Sequence, residues 1–278
     1  MRWMKQTIAI LLLFCVFTVV QQEVQAGLSR QTFITVKVND NFVKMDVQPY
    51  ITDGRTHVSI RFIAETLGAD VIWEPEKEKA VILYEDTEIE MYVDDNILLV
   101  NDIKQTMDTS IEIVDGRIMV PVRFIAENLD CGVKWDESTY SVVIEKEDIE
   151  ISKDYIYERE YTDEDLMWLA RITNVEGGGL SLDARVAIAN VVLNRKESPR
   201  FPDNIYDVIF DKAYNVQFPP AHRDGFKELE PTRACIISSK MALEGVNNID
   251  NALFFNNVPF ATNSVTLHEI IDGMYFYF

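Results

Sequence analysis

Leu169 to Phe210 reads LARITNVEGGGLSLDARVAIANVVLNRKESPRFPDNIYDVIF, and the fold of the C-terminal half turns on how this stretch is parsed. Thr162 followed by Asp165 is an N-cap pattern, and Leu166, Leu169, Ile172 and Thr173 recur at helical spacing down to Glu176. Gly177-Gly178-Gly179 then breaks the helix. Glu176 thus falls within the apolar stripe of a helix that ends beside unobstructed backbone. Partial burial penalises an ionised carboxylate and raises its pKa, which is the environment a glycosidic proton donor needs. The same position also suits a helix-terminal glutamate turned to solvent next to a glycine cap, and local pattern leaves both readings open. Asp183 to Arg195 is apolar nearly all round and reads as a buried core helix capped by Ser181, a carrier of packing and not of chemistry.

The residues after the glycines add a family likeness. The Leu-Ala-Arg run before Glu176, Val186-Ala187, Val191-Val192-Leu193-Asn194-Arg195, Ser198-Pro199-Arg200-Phe201-Pro202, Val208-Ile209-Phe210 and Gln217-Phe218 together resemble the SleB-like cell-wall hydrolases, the spore cortex-lytic enzyme family. Ala252-Leu253-Phe254-Phe255-Asn256 and Tyr275-Phe276-Tyr277 continue the likeness to the end of the chain. The resemblance implies a lysozyme-like fold, peptidoglycan as substrate, and Glu176 as the catalytic glutamate. It also places Gln217 and Phe218 near the site. Sugar rings stack on aromatic faces and their hydroxyl and N-acetyl groups pair with amides, so Tyr214, Gln217, Phe218 and Asn256 are the candidate substrate-binding residues. For Phe218 a buried-core role is equally open. Relatives carry Glu-Ala-Arg-Gly-Glu where this chain has Glu176-Gly177-Gly178-Gly179-Leu180, and a histidine where it has Met274. Those departures leave a non-catalytic wall-binding protein as the alternative.

A two-carboxylate hydrolysis would draw a partner for Glu176 from Asp183, Asp211, Asp224 or Glu228, none supported by a motif. The resemblance implies the other route, a lytic transglycosylase in which one carboxyl serves as acid and then as base. His222 with Asp224 reads as a solvated pair on a polar loop.

Between the N-terminus and this domain lies a repeat. Residues 54–82 and 116–144 align without gaps at an offset of 62, with 13 of 29 positions identical, so the segment is a duplication of a unit of about 60 residues. Each copy has an opening strand such as Ile34–Val38, an Arg-Phe-Ile-Ala-Glu helix, and a tryptophan-bearing strand pair: 71–73 with 80–83, and 133–135 with 141–144. This pattern resembles the copper amine oxidase N-terminal-like, or stalk, domain. His57 is the one histidine in the region, so no copper site is expected. Arg61 with Glu65 and Arg123 with Glu127 read as solvated i to i+4 pairs. The expected class is therefore α+β: a duplicated β-rich stalk domain (31–150), then a mainly helical lysozyme-like catalytic domain (154–278), the boundary lying near Asp154.

Residues 1–26 are expected to be a signal peptide. Arg2 and Lys5 precede an apolar run from Ile8 to Val20, shorter than the ~20 residues of a spanning helix, and Ala26 supplies the small residue of a cleavage site. Export to the cell wall or spore envelope of a Gram-positive-type bacterium follows, with no stable membrane insertion once the signal is removed. The formal charge of −20 and the lack of a basic run argue against nucleic acid as a partner. Peptidoglycan is the one partner named; no protein partner can be read. Three histidines without paired ligand spacing, and Cys131 and Cys235 each among apolar neighbours, give no metal and no cofactor.

Overall fold

The computed structural model describes residues 33–213, 216–262 and 264–278; the expected signal segment lies outside them. The chain is α+β, β-rich first and helical afterwards, and it divides into two compact units, 45–129 and 35–44 with 130–278. The opening strands β1 (Thr35–Val38) and β2 (Asn41–Phe42) belong to the second.

In the first unit, β3 (Tyr50–Thr52), β4 (Arg55–Ser59), β10 (Glu112–Val114) and β11 (Arg117–Pro121) form an antiparallel sheet in the order β10-β11-β4-β3. Its central pairing sets Val58 opposite Val120, His57 opposite Pro121 and Ser59 opposite Met119. Val58 and Val120 are equivalent positions of the two repeats, so the copies meet about a local two-fold. The Arg-Phe-Ile-Ala-Glu segments follow as α1 (Ile60–Thr66) and α2 (Val122–Asn128), which bury Ile63, Ala64, Ile125 and Ala126. Their charged residues point outward, with Arg61 3.7 Å from Glu65 and Arg123 3.9 Å from Glu127. Exposed pairs of this kind contribute little. A second sheet is a meander: β5 (Asp70–Glu74), β6 (Lys79–Tyr84), β7 (Thr87–Tyr92), β8 (Ile97–Val100) and β9 (Ile103–Thr106).

The second unit shows where the duplication departs from two separate copies. At the offset of 62, β8 and β9 correspond to β1 and β2, yet they lie in the sheet of the first copy's tryptophan strands. Reciprocally, β1 pairs in parallel with β13 (Ser141–Glu145) of the second copy, Val36 opposite Val142, and β12 (Gly132–Asp136) and β2 complete the order β12-β13-β1-β2. The copies have exchanged their opening strands. This sheet shares its compact unit with four helices: α3 (Asp163–Gly177), α4 (Leu182–Glu197), α5 (Ile205–Phe210) and α6 (Arg233–Leu243). A capping box starts α3, Thr162 and Asp165 each bonding the other's backbone, and three acidic residues in its first turn complement the helix dipole. Central α4 buries Trp168-side residues Ala189 and Val192 in one apolar cluster and Ala187, Ile188 and Val191 in another. The chain ends in the sheet β14-β16-β15, made of β14 (Phe254–Asn256), β15 (Leu267–Ile271) and β16 (Met274–Tyr277).

Lys240 of α6 ties the sheet to the helices. It is fully buried, and its ammonium donates to the carbonyls of Thr139 at 2.8 Å and Tyr140 at 3.1 Å. Burial pushes its pKa down to about 7, with Glu244 acting in the opposite sense. Further links are Lys37 to Asp163 at 2.8 Å and Arg233 to Glu137 at 3.2 Å. A fragment 154–278 therefore lacks partners that the intact unit has. The buried bonds of Lys240 weigh most, at about 1.5–3 kcal/mol for a hydrogen bond to a charged group, and the exposed Arg233–Glu137 pair contributes little, so the fragment is expected to melt ~5 °C below the second unit of the intact chain. Calorimetry of the two would check this; equal midpoints would show that the sheet adds nothing to the helices.

Candidate active site

Glu176 is the penultimate residue of α3, half-buried, at the point where the helix runs into the glycines. That last turn is held from outside. Arg171 donates through Nε to the Leu229 carbonyl at 2.9 Å, and Asn174 accepts from the Thr232 amide at 3.0 Å. Gly178 is sterically required, since a Cβ there would lie 2.6 Å from the Asn174 carbonyl oxygen, while a Cβ on Gly177 would press on the end of the Ile188 side chain of α4. Gly179 instead faces open space, with nothing within 4 Å of where its Cβ would be. The two helices thus approach closely at Gly177, next to Glu176, while the chain beyond the turn is open at Gly179.

Burial pushes the Glu176 carboxyl above the ordinary glutamate value, and Arg195 and Arg223 act against that rise. Among the described residues, no hydrogen bond or ion pair engages the carboxyl. Arg195, in the last turn of α4, is 3% exposed. Its Nε donates to the Leu253 carbonyl at 2.8 Å, and its guanidinium lies over Phe218 at 4.8 Å, Phe201 at 5.2 Å and Phe254 at 5.7 Å. Nη1 is enclosed without an acceptor. Burial pushes the guanidinium pKa down to about 10, with Asp211 and then Glu176 opposing. Among the described residues the site is thus a half-buried acid whose pKa two arginines oppose raising, with no direct ion pair.

The other candidate residues fall differently. Phe218, for which a core role and a substrate-binding role were both open, is fully buried in the cluster formed with Trp168, Ile172, Val192 and Ile209, with the Arg195 guanidinium over its ring. Gln217 is half-buried on the loop before it, and Tyr214 lies outside the described residues. Asn256, half-buried at the end of β14, accepts from the Asn257 amide at 2.9 Å. Its neighbour Phe255 is 6.3 Å from Phe218, which brings β14 to the same side of the core as the Arg195 aromatic cage. Asp183 lines a separate open depression of about 590 Å³ with Ser181, Asn248 and Asp272, and Glu176 is not part of it. His222 packs against Phe210 at 5.6 Å. Among the described residues, no ion pair joins His222 to Asp224, and no three His, Cys, Asp or Glu side chains are grouped to hold a metal.

Sequence reasoning missed Arg195 and Arg223. Arg195 was read as part of a packing helix, although a single permanent cation on an otherwise apolar face was the signal available. Both act on the Glu176 carboxyl from other parts of the fold, against the rise that burial causes.

Residues 179–277 match the family described as Cell Wall Hydrolase. The match begins three residues after Glu176. Residues 37–144 match the copper amine oxidase N-terminal domain, so the chain carries a cell-wall hydrolase domain behind a domain of that second type. Curated relatives of this chain include the spore cortex-lytic enzymes of Halalkalibacterium halodurans, 32% identical over 37% of this chain and 30% of that protein, and of Oceanobacillus iheyensis, 33% identical over 37% and 36%. That of Bacillus subtilis is 31% identical over 37% and 32%. The chain spans about a third of the length of these relatives. Among solved structures, the catalytic domain of the germination-specific lytic transglycosylase SleB from Bacillus anthracis aligns at 26% identity, covering 44% of this chain and 99% of that one, with a TM-score of 0.38. The Bacillus cereus SleB catalytic domain aligns at 27% identity over 43% and 94%, also with a TM-score of 0.38.

Proposed function

We propose that this protein is an exported peptidoglycan-cleaving enzyme, a lytic transglycosylase of the glycan strand in which Glu176 is the single acid/base. The observation that carries the reading is the half-buried Glu176 carboxyl at a helix end opened by Gly179, with a pKa raised by burial, at the head of a cell-wall hydrolase domain. The spore cortex-lytic relatives support the substrate class. Protonated Glu176 gives its proton to the glycosidic oxygen, and the bond from the anomeric carbon to that oxygen breaks with the electron pair leaving on the oxygen. The resulting carboxylate takes the proton of the muramoyl 6-hydroxyl while that oxygen bonds to the anomeric carbon. A 1,6-anhydro end forms, no water is consumed, and Glu176 returns protonated. The acidic region before the hydrolase domain, net −15 over 31–150, serves as a spacer that stays soluble among wall polymers.

The pH dependence follows from the same carboxyl. Glu176 has to carry its proton at the start, and burial holds that proton to higher pH than in a free glutamate, so activity should be full on the acid side and fall as pH rises through the raised midpoint. Release of soluble muropeptides across pH reads this. A fall centred at or below ~4.3, the value of an unperturbed glutamate, would remove Glu176 from the role.

A further inference from the structure

We infer that Arg185 and Asp272 are positioning residues of the candidate active site: they pin the far side of the glycine turn after Glu176, so that the Gly179 peptide group is held open to take the 2-acetamido group of the sugar bound at that carboxyl. This rests on the acid/base reading of Glu176 and adds to it the group that selects an N-acetylated sugar.

The nearness of Gly179 to Glu176 is set by the backbone itself. The chain is still helical between them: Gly177 closes α3, and Gly178 has φ −56° and ψ −30°, its amide donating to the Asn174 carbonyl at 3.1 Å. Gly179 therefore stands at the i+3 position from Glu176, about 5–6 Å away on the same side of the turn. It is exposed, nothing lies within 4 Å of where its Cβ would be, and among the described residues its amide and carbonyl enter no hydrogen bond. Three consecutive glycines would by themselves leave such a turn loose. Here the far end is fixed by three contacts. The Leu180 side chain packs, as Ile271 does, against the cluster containing Ala187, Ile188 and Val191; Arg185 of α4 donates through Nη1 to the Leu180 carbonyl; and the Ser181 amide donates to the Asp272 carboxylate at 2.6 Å. Asp272 reaches Ser181 from the turn between β15 and β16, where it and Gly273 both have positive φ. A carboxylate at the start of α4 also suits the helix dipole. That does not account for Arg185, whose guanidinium makes its hydrogen bond to a loop carbonyl while its Nε is enclosed without an acceptor. Together the contacts hold both flanks of Gly179 and leave its peptide group bare. A peptide group offers one N–H and one C=O, and an acetamido group offers the same two, so they are complementary. A backbone group fixed in advance also has little freedom left to lose on binding.

The test is the binding of two uncharged β-1,4 tetrasaccharides to the full chain, N-acetylated chitotetraose and cellotetraose, which differ at position 2 by acetamido against hydroxyl. Binding is followed by nitrogen NMR, with the Gly179 amide assigned through Gly179→Ala. Chitotetraose is expected to move the Gly179 resonance and to bind about tenfold more tightly than cellotetraose, the size of one or two hydrogen bonds. In Asp272→Ala and in Arg185→Met that preference should be lost, with KM for peptidoglycan raised by a similar factor and kcat changed less. Asp272→Asn and Arg185→Lys, which keep an acceptor and a donor, should restore most of it. A merely structural role would lower the melting midpoint and weaken both tetrasaccharides alike. If the variants do not fold, the wild-type Gly179 resonance still decides. A Gly179 amide that answers neither tetrasaccharide, or both equally, overturns the inference, and so does a preference that survives in folded Asp272→Ala and Arg185→Met. The binding readouts do not need turnover. A chain that shows the preference but releases nothing from peptidoglycan would sink the proposed cleavage and leave the subsite standing, whereas cleavage without the preference would sink the subsite alone.

Discussion

Glu176→Gln is expected to reduce release of soluble muropeptides by 10²–10⁴-fold, the range for loss of a positioned proton donor, while the melting midpoint stays the same or rises slightly. The amide keeps the shape of the side chain and removes the transferable proton. It also removes a carboxylate that burial disfavours, so no stabilising contact is lost on the folded side. Turnover assays on purified peptidoglycan, with circular dichroism melts run in parallel, check both parts. Near-normal turnover in the variant would place the chemistry on another group, and a collapsed melt would mean that Glu176 serves the fold.

Phe218→Ala is expected to destabilise the second unit by about 3–5 kcal/mol, the range for truncating a buried phenylalanine. For a unit of this size that corresponds to a melting midpoint lowered by roughly 10 °C. Phe218 is fully buried, and its ring meets Phe255 at 6.3 Å and the Arg195 guanidinium at 4.8 Å. The loss therefore empties a core position and removes the plane on which Arg195 rests. A thermal melt separates this from a surface role. If the midpoint is unchanged while affinity for glycan strands falls, Phe218 is a sugar platform after all and the packing described here is wrong at that point.

The parts of this structure that were legible in the sequence are those whose signal is local. Thr162 and Asp165 form the capping box their spacing announces, and the expected stop at the glycines appears as the end of α3 at Gly177. The helix read from Asp183 to Arg195 is observed from Leu182 to Glu197, capped by Ser181 and buried on opposite sides in two apolar clusters. In the repeat, both Arg-Phe-Ile-Ala-Glu helices and both tryptophan-bearing strand pairs form where period and composition place them. The exchange of opening strands was not legible. Thr35 pairs with Ser141 in a parallel ladder, and no turn chemistry or periodicity reports a partner more than a hundred residues away. The same reason hid the surroundings of Glu176. That a carboxyl sits in an apolar stripe can be read from helical spacing, whereas the approach of Arg195 from α4 and Arg223 from a loop is set by how the elements pack. Phe218 shows the limit from the other side: an aromatic on a proline-rich loop fits a cleft wall or a core equally well by type, and the packing around it decides.

The products formed from peptidoglycan test the cleavage most directly. Purified glycan strands incubated with the full chain, and separately with Glu176→Gln, should be separated and weighed by mass spectrometry. The expected result is soluble muropeptides ending in 1,6-anhydromuramic acid from the wild-type chain and none from the variant. Reducing ends in place of anhydro ends would replace the single-carboxyl mechanism with hydrolysis. Absence of any soluble product from the wild-type chain would contradict the central claim that this protein cleaves peptidoglycan.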